Sequence, residues 1–184
     1  METSKPKPFD IAVKWAAIYV IASIVLTYTW QFLNIDPNTS VKYIGFLIFV
    51  VFLILALKEQ RDKQGGFVTF GESFVAGLYY SIISAVVISI FTYLYFAILS
   101  PQMYEKILDT TKAGLVEKGL SSDQIDQTMS IMSKYGVLLA AVGSLFLMAI
   151  FGIIVSLIGA AIFKKERSIL DIEQNSDSFT DPAI

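Results

Sequence analysis

The chain has 184 residues, of which 55% are hydrophobic and only 16% charged, with a formal net charge of −2 and a mean hydropathy of +0.64. An ordinary soluble domain carries about 25% charged residues, so the composition argues against one and for a membrane protein. The sequence also holds no His and no Cys, which excludes disulfides, thiolate and iron–sulfur metal sites, and His- or Cys-based catalysis.

The 14 basic and 16 acidic residues cluster, leaving residues 15–33, 43–57, 73–99 and 135–163 free of charge. A bilayer core about 30 Å thick needs roughly 17 to 25 apolar helical residues, and all four windows can supply them. A soluble bundle does not suit a run as rich in large aliphatics as residues 46–57. Nor does any stretch alternate with period two over about ten residues, as an outer-membrane barrel requires.

In chain order, residues 1–14 are a segment carrying Lys5, Lys7 and Lys14. In the first window Trp15 and Trp30 stand about 22 Å apart along a helix axis, which suits aromatic belts at both interfaces. A cleaved signal peptide would need a small-x-small site, and Gln31-Phe32-Leu33-Asn34-Ile35 offers none, so the span reads as a retained anchor. Asn38-Thr39-Ser40 matches an N-glycosylation acceptor, but the motif is short and hugs the membrane. The second window reaches about 17 residues only if Lys42 snorkels to the outer headgroups.

The link at residues 58–72, KEQRDKQGGFVTFGE, is short and Gly-rich. Thr69 and Glu72 form a capping box before an apolar run, which starts the third helix at about residues 68–70 and places Phe67 and Phe70 at the interface. Gly65-Gly66 lacks the Gly-Lys-Ser/Thr and the preceding strand of a phosphate-cradling loop, so it reads as a tight turn. Glu72, at a membrane edge beside Gly71, is the best single candidate for a functional carboxylate. Its plainer role is an N3 cap favoured by the helix dipole.

Residues 100–134 are punctuated as a helical hairpin. Ser100-Pro101 reads as N-cap and first helical residue, and Tyr104, Ile107, Leu108, Thr111 and Leu115 form a stripe at helical spacing. Gly119 supplies the C′ stop, with Leu120 set to touch Leu115. Ser121 to Gln124 is a second capping box, flanked by Leu120 and Ile125 as a hydrophobic staple. A helix with Ile125, Met129 and Met132 on one face then runs on into the fourth window. Residues 164–184 join a basic stretch, which suits topology or attraction to anionic lipid, to an acidic tail expected to be disordered.

With an even number of spans both termini share a side, and that side collects Lys5, Lys7, Lys14, Lys58, Arg61, Lys63, Lys164, Lys165 and Arg167. The other side has only Lys42, Lys106, Lys112, Lys118 and Lys134. The positive-inside rule therefore puts both termini in the cytoplasm. The expected fold class is all-α: a polytopic membrane protein with transmembrane helices 1–3 within residues 15–99, an extracytoplasmic helical hairpin at 100–134, and a fourth transmembrane helix at 135–163.

Ionisable groups buried in a bilayer are a default sign of function, and the four windows contain none. That argues against an ion-coupled carrier, a voltage sensor and intramembrane acid–base catalysis. No catalytic residue, metal site, cofactor or nucleic-acid partner is expected. The strongest positive pattern is small residues at spacing four: Ser73, Gly77, Ser81, Ala85 and Ser89 in the third span, and Gly136, Ala140, Ser144, Gly152, Ser156 and Ala160 in the fourth. Such stripes let membrane helices approach closely. Antiparallel neighbours share depth, so Gly77 and Ser81 are expected to meet Gly152 and Ser156. Whether the stripes pack within one chain or between chains is open at this stage.

The Gly65-Gly66-Phe67-x-Thr69-Phe70-Gly71 stretch with Gly77, then Tyr93, Tyr95, Phe96 and Pro101, then Gly119, Ser121, Gln124 and Ile125 together resemble an uncharacterised bacterial membrane family, domain of unknown function four-one-nine-nine, over roughly residues 10–165. The resemblance implies this topology and a bacterial inner-membrane address, with no established activity or catalytic residues. It also implies an association with glycosyltransferases acting on polyprenyl-phosphate carriers.

The leading functional expectation is a non-enzymatic anchor or accessory subunit that assembles with other membrane or cytoplasmic proteins, such as a glycosyltransferase of that kind. The alternative is a small channel or carrier for a lipid or lipid-linked sugar, working as a homo-oligomer lined by Ser73, Ser81 and Ser89. A membrane enzyme would need interfacial carboxylates, for which only Glu72 with Glu59 or Asp62 is near enough in sequence.

Overall fold

The computed structural model describes residues 7–35 and 41–165. Lys5, Asn38-Thr39-Ser40, Arg167 and the acidic tail lie outside the described residues, as does the side chain of Lys42. Among the described residues the chain is all-helical: α1 Pro8–Phe32, α2 Lys42–Lys63, α3 Phe70–Leu94, α4 Pro101–Glu117 and α5 Ser122–Phe163, with a π-helical turn at Tyr95–Leu99 after α3. Four of these helices, α1, α2, α3 with its π turn, and α5, are long and apolar enough to cross a membrane.

Local chemistry sets the helix ends. Pro8 occupies the first turn of α1, with Asp10 beside it, so the helix starts well before the charge-free window at Trp15; a fixed φ and an acid at the positive dipole end both favour that start. Three helices stop in the same way. Asn34 (φ 51), Gly65 (φ 78) and Gly119 (φ 74) turn left-handed, and the amides that follow reach back: Ile35 N to Trp30 O at 3.0 Å, Gly66 N to Arg61 O at 3.0 Å and Leu120 N to Leu115 O at 3.3 Å. These are Schellman closures.

The third charge-free window does not stay α-helical to its end. Pro101 has no N–H and its ring would collide with the carbonyl four residues earlier. The helix widens ahead of it, and Ser100 N bonds Tyr95 O at 2.7 Å in the five-residue spacing of a π turn. By contrast α5 is unbroken for 42 residues, about 63 Å at 1.5 Å per residue.

The chain forms two compact units, Met1–Ser81 with Gly152–Ile184, and Ile82–Phe151. In the first, the buried residues of α2 are Phe49, Leu53, Ala56, Leu57 and Gln60, one stripe at helical spacing. Tyr19, Phe49 and Tyr80 form an aromatic trio with ring centroids 5.3, 6.1 and 5.1 Å apart. The buried Tyr80 hydroxyl donates to Phe49 O at 3.1 Å. Val68 and Lys165 exchange two backbone hydrogen bonds of 2.9 Å, tying the α2–α3 link to the chain that leaves α5.

In the second unit Tyr104 of α4 donates to Met132 O at 2.7 Å, and its ring tip lies so close to Gly136 that no side chain fits there. Burial pushes the Tyr104 hydroxyl above its ordinary pKa. Phe91, Tyr95, Phe96 and Tyr104 follow one another at centroid distances of 5.7, 5.3 and 5.7 Å. The α4 face bearing Tyr104, Ile107, Leu108, Thr111 and Leu115 is the less exposed one, and Ile125 of α5 is buried.

Candidate functional site

The first unit brings four small residues of α3 and α5 together. A methyl group placed on Gly77 would lie 2.7 Å from Ser156 Oγ and 2.9 Å from its Cβ. One placed on Gly152 would overlap Ser81 Cβ, lie 2.5 Å from Ser81 Oγ and reach 3.2 Å from Phe49 Cζ. Real carbon contacts sit near 3.5–4.0 Å, so each glycine makes room for the serine opposite. Ser81 Oγ and Ser156 Oγ lie 3.2 Å apart, and Ser81 also donates to Gly77 O at 2.8 Å. Glycine faces serine twice in alternation, and the two serines hydrogen-bond across the seam.

Ala85 and Ser144, further members of the same two stripes, lie in the second unit. Ala85 is buried. Ser144 donates to Ala141 O at 2.7 Å, and Ser89 of α3 donates to that same carbonyl at 2.8 Å.

A charged cluster sits at the end of the first unit where α1 begins and α2 ends. Glu59 accepts hydrogen bonds from Lys14, from Lys63 at 2.8 Å and from Trp15 Nε1 at 2.6 Å. Glu59 lies past the charge-free run of α2, and its side chain is only 18% exposed. Burial pushes its pKa up, but the hydrogen bonds from Lys14, Lys63 and Trp15 and the charge of Lys14 outweigh that and bring it down to about 2. An ionised carboxylate with three donors on it is an acceptor holding two helices together, not a free base or nucleophile.

Glu72 has its own partner. Its carboxylate accepts from Thr69 N and Thr69 Oγ1, both at 2.9 Å, while Glu72 N donates to Thr69 Oγ1 at 3.2 Å. This is a reciprocal capping box at the start of α3. Ser121 and Gln124 pair similarly before α5, Ser121 N donating to Gln124 Oε1 at 3.1 Å. Among the described residues no group of three or more His, Cys, Asp or Glu could hold a metal ion.

Sequence reasoning missed the Lys14–Glu59 pairing, although two of its components were visible. Glu59 and Lys63 stand four apart on one helix, and Trp15 is placed for an interfacial belt. Nothing along the chain says which acid Lys14 meets.

The family described as "Protein of unknown function (DUF4199)" matches residues 14–165, a range that takes in both the glycine–serine seam and the Glu59 cluster. No curated protein and no solved structure matches the chain.

Proposed function

The chain belongs to the DUF4199 family of proteins of unknown function, and from that premise we propose that it is a non-enzymatic, multi-pass protein of the bacterial inner membrane that serves as an anchor or accessory subunit of a membrane complex. The observation that carries this reading is the glycine–serine seam. Ser81 and Ser156 hydrogen-bond across it from α3 to α5, Ser81 also bonds Gly77 O one turn earlier in its own helix, and Ser89 of the second unit bonds Ala141 O of α5. Ser81 and Ser89, two of the three hydroxyls that a polar pathway would use, are thus holding helices together, which favours a packed scaffold over a carrier.

Outward-facing residues support a lipid setting. Ile21, Val25, Leu47, Ile82, Ile90, Leu147 and Ile158 are all exposed, as bilayer-facing positions of spanning helices would be. In this reading the end bearing Lys14, Lys58, Arg61, Lys63 and Lys165 faces the cytoplasm, and the α4–α5 hairpin faces outward. Partners are membrane or cytoplasmic proteins, with a glycosyltransferase that uses a polyprenyl-phosphate carrier as the first to examine.

Affinity purification of the full-length protein in mild detergent, followed by mass spectrometry, tests the proposal. A stoichiometric partner enzyme supports it. A clean homo-oligomer refutes it in favour of a channel or carrier for a lipid or lipid-linked sugar.

A further inference from the structure

Two fully buried side chains in the first unit carry polar groups that no hydrogen-bond partner among the described residues meets: both amide atoms of Gln60 and the hydroxyl of Ser73. Native proteins rarely leave such groups unsatisfied, because a buried amide or hydroxyl has lost its hydration.

Helix register brings the two to one level. Gly159 of α5 lies against Leu57 of α2, and Ser156 lies against Gly77 of α3. Gln60 is three residues past Leu57 and Ser73 is one turn before Gly77, so both flank the turn of α5 around Ala160, itself fully buried. Side chains on a helix lean toward its N-terminus. In α2 that direction carries the long Gln60 side chain back toward the level of Ser73. In the antiparallel α3 it carries Ser73 toward Gln60. Val68, 2% exposed and paired with Lys165, lies just before α3 at the same end of the unit.

The chemistry of the unmet groups narrows what fits between them. Gln60 presents an N–H₂ donor and a carbonyl acceptor, and Ser73 a hydroxyl that does either. A cation would meet only the oxygens, and an anion only the N–H and O–H groups. A small neutral molecule that both donates and accepts meets all of them. We propose that Gln60 and Ser73 form an internal hydration site, in which ordered water bridges α2 and α3 beside Ala160. Three polar atoms from two side chains satisfy the two to four partners that a buried water requires.

The test uses the full-length protein in lipid bilayers. In water-edited solid-state NMR, magnetisation should pass rapidly from water protons to the Gln60 side-chain amide and to Ser73, and not to the buried Leu53. In detergent, Gln60→Leu and Ser73→Ala should each lower the melting temperature by about 2–4 °C, and the double variant should be no worse than the worse single one, because both remove the same bridge. Absence of water transfer to Gln60 would overturn the site, even if the two substitutions proved coupled. So would additive effects, which mean that the two side chains share no bridge, or a Gln60→Leu variant that melts higher than the parent, which means a dry, unpaired amide.

Discussion

Replacing Gly152 by Ala is the sharpest probe of the glycine–serine seam. The added methyl would overlap Ser81 Cβ and lie 2.5 Å from Ser81 Oγ and 3.2 Å from Phe49 Cζ, so α5 must draw back from α3 by about 1 Å to restore ordinary separation. Overpacking of this kind costs about 1–3 kcal/mol, offset by up to about 1 kcal/mol from the better helix propensity of Ala. Gly143, on the same helix, has open space where a Cβ would go, so Gly143→Ala should gain about 0.5–1 kcal/mol. The two variants therefore differ by about 1–3 kcal/mol, or about 2–12 °C at roughly 2–4 °C per kcal/mol for a chain of this size. Thermal unfolding in detergent, followed by circular dichroism, reads the difference. Second-site changes show where the strain lies: Ser81→Gly should relieve Gly152→Ala by removing both the opposing Cβ and Oγ, whereas Ser81→Ala, which removes the Oγ and keeps the Cβ, should relieve it less. Equal melting of Gly152→Ala and Gly143→Ala, or equal rescue by the two Ser81 changes, would refute the close approach.

The Glu59 cluster makes stability depend on acid. Its carboxyl is depressed to about 2 from an ordinary 4.5, so its contribution is complete above that ordinary value and is lost as pH falls from about 4.5 through about 2. Lys14 and Lys63 are about half exposed, which limits the effect to roughly 1 kcal/mol. Trp15 fluorescence should shift in that window and lose the shift in Glu59→Gln; an unchanged transition in the variant would rule out the assignment. At the start of α3, Glu72→Gln should melt within about 0.5 kcal/mol of the parent, because Gln also closes a capping box, while Thr69→Ala should cost about 1 kcal/mol. A well-folded Glu72→Gln protein that no longer recruits its partner would show a role for the carboxylate beyond capping. For orientation, single cysteines at positions 64 and 112 should label from the cytoplasmic and the outer side respectively, and the reverse pattern would invert the topology.

How far the sequence foretold this molecule depends on the range over which each signal acts. Helices within the four charge-free windows were legible because hydropathy is read residue by residue, and Thr69/Glu72, Ser121/Gln124 and Gly119 were legible because a cap involves residues three to five apart. The π turn was signalled by Pro101 alone, which shows that a helix must yield there without showing how. Lys14 with Glu59, Tyr80 with the Phe49 carbonyl, and Val68 with Lys165 join residues far apart in the chain. No local pattern selects those partners. Small residues at spacing four marked the faces of α3 and α5, while the alternation of glycine against serine across the seam depends on axial register, which one sequence does not state.

The pairing of Val68 with Lys165 consists of two main-chain amides donating to two main-chain carbonyls, so it is indifferent to which side chains stand at those positions. A residue-by-residue alanine scan would not report the pairing, because every variant would retain both bonds and Val68→Ala would register only the loss of a buried side chain. Proline alone among the natural residues deletes an amide donor, and an amide-to-ester exchange does so without altering the side chain. A family could therefore drift in sequence at the exposed position 165 while the junction's geometry stayed fixed, and variability there would be no sign that the junction is dispensable.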